Sequence, residues 1–124
     1  MSMIIDQIKE RAKKDKKTII LPEVMDRRVM EATEIILNEG IADIILVGRD
    51  EEIEETSRGF DIKGATIVNP YTSELTDELV EKLYDLRKEK GMTLDGAREL
   101  LLGDYMYYAC MLRSVRVKLE LVKH

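Results

Sequence analysis

The chain contains one cysteine, one histidine and no long apolar run, and each shortage removes a class of chemistry. A single thiol, Cys110, permits no internal disulfide and suits a reducing compartment. Its neighbours are Tyr, Ala and Met on a helical pattern, which reads as core packing. The only imidazole is His124, the last residue given, so no acid–base or metal role is assigned to it. Without a second histidine, no Ser-His-Asp or Cys-His arrangement can be assembled within these 124 residues. No apolar stretch reaches membrane-spanning length and no signal-peptide pattern stands at the start, so a cytoplasmic protein with no membrane partner is expected. Zinc-ligand spacing, a Walker A loop and a G-x-G-x-x-G turn are all missing, as are internal repeats and low-complexity segments.

What is present describes a soluble globular domain of ordinary size. Hydrophobic residues make up 44% and charged residues 36%, a balance that disordered chains do not have. At this length roughly two-thirds of the unfolded surface can be buried. The net charge of −5 argues against a nucleic-acid surface, which needs clustered Lys and Arg. A small anionic ligand stays open, because a few local arginines can outweigh a distant negative balance.

The stretch Leu21-Pro22-Glu23-Val24-Met25-Asp26-Arg27-Arg28 organises the reading. Before it, Thr18–Leu21 is a β-branched run of the kind found in buried parallel strands. Pro22 ends that strand, since it cannot donate to a ladder. After it, Val29, Ala32, Thr33, Ile36 and Leu37 recur at helical spacing, with Asp26 as N-cap and Gly40 as the stop. A strand passing into a helix N-terminus is where α/β proteins bind anions, and Arg28 adds a fixed charge there. Glu23 and Asp26 read as capping and local ion pairing.

Elsewhere, Met3 to about Lys14 predicts an amphipathic helix, and the basic run through Lys17 complements its C-terminus. Ile41–Gly48 predicts a second strand, giving a βαβ unit with a right-handed crossover. Asp50 is expected to cap a short helix to Ser57, its glutamates forming a solvated face. Ala65–Val68 predicts a third strand, broken by Asn69-Pro70. Thr72 or Ser73 then caps a helix to about Lys88, with Leu75, Leu79, Leu83 and Leu86 facing the core. Thr93 and Gly103-Asp104 start two more helices, the last one carrying Tyr105 to Leu112. From Arg113 to His124 the pattern changes to strand-like alternation. Arg28 and Arg87 stand out by position, each near a helix end beside a loop at the C-terminal edge of the sheet. Surface ion pairing is the plain alternative for both.

The segments Lys17-Thr-Ile-Ile-Leu-Pro-Glu23, Asp26-x-Arg28, Gly40-Ile-Ala-Asp-Ile-Ile-Leu-Val-Gly48 and Tyr84-Asp-Leu-Arg-Lys-Glu-Lys-Gly-Met-Thr93 carry a resemblance. With Asp104-Tyr105 and Tyr108-Ala109-Cys110-Met111 they make residues 3–112 collinear with the N-terminal part of the phosphate acetyl/butyryltransferase family, and similar to its phosphate acetyltransferases (phosphotransacetylases). The resemblance implies interconversion of acetyl-CoA plus phosphate with acetyl phosphate plus CoA. It implies two α/β domains facing across a cleft, a carboxylate of the second domain taking the thiol proton, and a homo-oligomer, usually a dimer. Coenzyme A enters as a substrate, and no permanently bound cofactor and no metal is implied. The arginine matching Arg28 is implicated at the family's substrate site, and the one matching Arg87 in binding a CoA phosphate.

The departures from the pattern set further expectations. The family commonly has Gly at the position of Val24, a change that looks minor. After Leu112 the family continues through Ala-Asp-Gly-x-Val-Ser-Gly, whereas residues 113–124 do not match and read as a shifted frame or truncated gene. The expected domain is therefore 1–112, an incomplete N-terminal α/β domain, followed by a non-matching tail at 113–124. Its expected architecture is a three-layer α/β/α sandwich with a mainly parallel sheet. The family's catalytic residues lie in the missing second domain, so the chain is expected to be inactive alone. The alternative is a non-catalytic CoA- or phosphate-binding module, or a degenerate fragment. An incomplete sheet also predicts association through its uncovered edge and face.

Overall fold

A computed structural model describes residues 18–115, and in it the chain divides into two compact units between Asn69 and Pro70. The expected N-terminal helix and most of the alternating tail fall outside the described residues.

The first unit is α/β, with three parallel strands: β1 (Thr18–Leu21), β2 (Asp43–Val47) and β3 (Thr66–Val68), adjacent in that order. Ile19 lies beside Ile44 and Leu21 beside Leu46, while Val47 lies beside Val68. Every residue of β1 and all of β2 after Asp43 are buried, which is why these runs are apolar throughout and do not alternate. Helix α1 (Arg27–Glu39) connects β1 to β2, and the shorter α2 (Asp50–Thr56) follows β2. Helix α1 buries Val29, Met30, Ala32, Thr33 and Ile36, close to the expected stripe. Asp26 caps it, and Gly40 ends it at φ 65°, donating to the carbonyls of Ile36 and Leu37.

The start of α2 differs from expectation by one residue. Arg49 occupies the cap position and Asp50 lies in the first turn. The Glu52 carboxylate accepts from the Arg49 amide at 3.0 Å, so the helix is closed from within and needs no capping side chain before it.

The second unit is helical among its described residues: α3 (Leu75–Arg87), a 3₁₀ turn (Lys88–Lys90), α4 (Leu94–Gly103) and α5 (Tyr105–Ser114). One residue before the cap position at Glu74, the Ser73 hydroxyl caps the first turn of α3 by accepting from the Leu75 amide at 3.1 Å. Thr93 accepts from Gly96 at 2.9 Å, and Asp104 from Tyr107 at 3.1 Å, so the remaining caps stand where the sequence places them. Two side chains do not. The buried stripe of α3 is Thr76, Leu79, Val80 and Leu83, and Leu86 lies to one side of it, 68% exposed. Helix α5 buries Tyr108, Ala109, Met111 and Leu112, which leaves Cys110 on the opposite face and exposed. Helix α5 also continues through Arg113 and Ser114, two residues into the expected tail.

Candidate functional site

The turn from β1 into α1 is built from the inside outward. Leu21 and Pro22 are buried, and Val24 is 1% exposed, so the backbone enters the helix from a fixed point. Val24 packs directly against Gly48 at the end of β2, where even a methyl group would collide with its side chain. Val24 is therefore part of the packing beneath the loop.

Asp26 and Arg28 form a closed local unit at the start of α1. The Asp26 Oδ1 accepts from the Arg28 amide at 2.9 Å and from Arg28 Nε at 3.2 Å. Oδ2 accepts from Arg28 Nη2 at 2.9 Å, making the pair bidentate. The hydrogen bonds from Arg28 hold the Asp26 carboxyl below the ordinary carboxylate value, against a smaller opposing push from desolvation. The same contact raises the Arg28 guanidinium. Arg28 nonetheless keeps 70% of its side-chain surface open to solvent.

A depressed carboxylate makes stability depend on pH in one direction. Stability is present above the unfolded value of about 3.9 and lost as pH falls through the folded value. Acid titration monitored by helical circular dichroism should therefore show α1 weakening below about pH 4, with a flatter profile in Asp26→Asn. Asp26→Ala removes the cap as well and should cost about 1 kcal/mol at neutral pH. An unchanged acid limb in Asp26→Asn would count against the pair as its source.

Arg27, next in sequence, has a different task that the sequence reading missed. Its Nη1 donates to the carbonyls of Thr56, the last residue of α2, at 3.1 Å and of Arg58, just past it, at 2.9 Å. Its guanidinium also lies over the Phe60 ring, 4.7 Å from the centroid. Arg27 thus ties the start of α1 to the end of α2 while staying exposed, and of the two adjacent arginines it is Arg28 whose side chain reaches no further than its own turn. No local pattern marks this division, because the partners lie 29 and 31 residues away.

Arg87 belongs to the second unit, as the last residue of α3, where a cation complements the helix C-terminus. The turn after it closes through Gly91 at φ 93°, and the Met92 amide donates to the Arg87 carbonyl at 3.3 Å. Nearby cations and acids pair among themselves: Arg98 with Asp77 at 2.6 Å, and Lys88 with Asp85 at 3.7 Å. The Arg87 side chain is exposed. A shallow open depression lies beside this turn, lined by Tyr84, Met92, Thr93, Leu94 and Asp95. Among the described residues no three His, Cys, Asp or Glu side chains gather as metal ligands, and no helix is long and apolar enough to cross a membrane.

Residues 3–118 match the family model described as phosphate acetyl/butaryl transferase. The chain is 44% identical over 109 residues to a phosphate acetyltransferase of Thermoanaerobacterium thermosaccharolyticum, covering 88% of this chain and 33% of that protein. It is 43% identical to one from Acetivibrio thermocellus, covering 87% and 32% respectively. Among solved structures, a phosphotransacetylase from Streptococcus pyogenes superposes with a TM-score of 0.72 at 30% identity, over 96% of this chain and 36% of that one. A phosphotransacetylase from Staphylococcus aureus gives 0.70 at 29%, over 87% and 34%. The chain spans about a third of the length of the curated relatives it matches. On the strength of a match covering most of its length, this chain belongs to the phosphate acetyl/butaryl transferase family.

Proposed function

We propose that this chain is the N-terminal, arginine-bearing part of a phosphate acetyltransferase, acting on CoA, acetyl phosphate and phosphate in the cytoplasm. The observation that carries the reading is the family match across residues 3–118. In the proposed reaction the CoA thiol loses its proton to a base, and the thiolate attacks the acetyl carbonyl. The new C–S bond forms as the C–O bond to phosphate breaks, releasing inorganic phosphate. Charge on the leaving phosphate and on the CoA phosphates calls for guanidinium groups, which stay protonated and bind oxyanions in pairs. Arg28 and Arg87 are assigned that work, with CoA a substrate and not a resident cofactor.

Alone, the chain is expected to be inactive. It spans about a third of its curated relatives, and the proton acceptor for the thiol is assigned to the remainder. Partial constellations lose the preorganisation that lowers a barrier. The test is a coupled assay of acetyl-CoA formation from acetyl phosphate and CoA, on protein shown to be folded by circular dichroism. Turnover well above the uncatalysed rate would overturn the assignment of catalysis to the remainder.

A binding role without catalysis is the second reading, favoured by the exposure of both arginines. It predicts saturable CoA binding in calorimetry that falls about tenfold in Arg87→Ala, the loss of one charged hydrogen bond. Equal binding by Arg87→Ala would remove Arg87 from the ligand site.

A further inference from the structure

The Asp26–Arg28 pair has a geometry that a surface ion pair does not need. The Asp26 carboxylate is itself anchored, because its Oδ1 is fixed to the Arg28 backbone amide at 2.9 Å. From that anchor it grips the guanidinium along one edge only, through Nε and Nη2. A guanidinium has five N–H donors arranged as a planar fork, so the edge formed by Nη1 and the outer N–H of Nη2 is left over. That edge is the one able to take two oxygens of a phosphate side by side. The side chain meanwhile keeps 70% of its surface in solvent, so the free edge is reachable.

We infer that Asp26 is a positioning residue for Arg28: it holds the guanidinium plane so that its outer edge is presented to a phosphate oxygen pair. The inference rests on the reading of Arg28 as a phosphate contact and adds to it the residue that aims the contact. An unrestrained arginine samples many rotamers and must be ordered when the ligand binds, at an entropic cost. A carboxylate that has already ordered it moves that cost into folding. The opposing effect is repulsion between Asp26 and the incoming anion. Asp26 takes the far edge of the fork, which places the positive guanidinium between the two negative groups. The arrangement therefore favours positioning over competition for the same donors.

The experiment measures binding of inorganic phosphate and of CoA to the 124-residue chain by calorimetry at fixed ionic strength. Four proteins are compared: the unaltered chain, Asp26→Ser, Arg28→Ala and the double variant. Serine keeps an oxygen able to cap α1 while removing the bidentate grip, so the thermal midpoint separates loss of the cap from loss of aim. Expected is a roughly threefold to fivefold weaker affinity in Asp26→Ser, the size of an exposed ion pair's contribution. The decisive comparison is the same substitution in the Arg28→Ala background, where it should change nothing. A merely structural role for Asp26 would weaken binding equally in both backgrounds, and that result overturns the inference. Tighter binding in Asp26→Ser also overturns it, by showing that Asp26 competes for the fork. If Arg28→Ala binds as well as the unaltered chain, or if no variant binds either probe, the underlying reading of Arg28 fails and the inference falls with it.

Discussion

Replacing Thr76 by valine should destabilise the second unit by about 1–3 kcal/mol, because it takes the donor from the buried Pro70 carbonyl and one of two hydrogen-bond partners, Thr76 and Ser73, from the Tyr108 hydroxyl. The Thr76 hydroxyl donates to the Pro70 carbonyl at 2.7 Å and lies 2.8 Å from the Tyr108 hydroxyl. A proline carbonyl can only accept, so the single threonine proton goes there and Tyr108 must donate to Thr76 Oγ1. Thr76 is 3% exposed and Tyr108 fully buried, so water cannot replace either bond in the variant. Urea unfolding followed by circular dichroism is the measurement. Tyr108→Phe should cost less in the Thr76→Val background than in the unaltered chain, since the bond between the two hydroxyls is then already gone and only the one to Ser73 is lost. Thr76→Ser keeps the hydroxyl and should cost only about one methyl group, roughly 0.8 kcal/mol. A Thr76→Val loss no larger than that of Thr76→Ser would mean the two hydrogen bonds contribute nothing net.

Burial of the same phenol adds a pH dependence. Burial pushes the Tyr108 phenol above its ordinary value, opposed by its hydrogen bonds to Thr76 and Ser73. A raised folded value means stability is complete below about pH 10, the unfolded value, and is lost as pH rises through the folded one. Tyr108→Phe should therefore lose less stability in alkali than the unaltered chain.

The local features of this chain are legible in its sequence, and its long-range contacts are not. Thr18–Leu21 reads as a strand because every residue is apolar or β-branched, and all four are buried. Asp26, Gly40, Ser73, Thr93 and Asp104 read as caps because their side chains or backbones act within a few residues. Arg49 escapes because its helix is closed by Glu52 from inside, leaving no signal at the cap position itself. Cys110 and Leu86 are misplaced for another reason: apolar character places a residue near a core but does not say how wide the buried arc of a helix is. Two bonds that hold the units together internally join residues 29 and 32 positions apart, Arg27 to Thr56 and Thr76 to Tyr108. Their geometry exists only once the chain has folded. The candidate site divides the same way. The helix-end positions of Arg28 and Arg87 are readable from the capping pattern, whereas the carboxylate grip on Arg28 and the structural use of Arg27 emerge only from the folded turn.

The packing under that turn supports the second large effect. Gly48→Ala should destabilise the first unit by about 1–3 kcal/mol, the cost of forcing a methyl group into a filled core. The added Cβ would run into the Val24 side chain, and Val24 is 1% exposed. Gly48 lies immediately after β2, its amide donating to the Val68 carbonyl at 3.1 Å, so it cannot retreat without breaking a bond to the neighbouring strand. The strain must fall on the loop carrying Val24, which leads within two residues to Asp26 and the start of α1. Val24→Ala alone should cost about 1.5 kcal/mol for two buried methyl groups. In that background Gly48→Ala should become close to neutral, because the colliding atoms are gone, giving a coupling of about 1–2 kcal/mol between the two sites. Denaturant midpoints of the four proteins measure it, and an equal Gly48→Ala cost in both backgrounds would place the strain elsewhere.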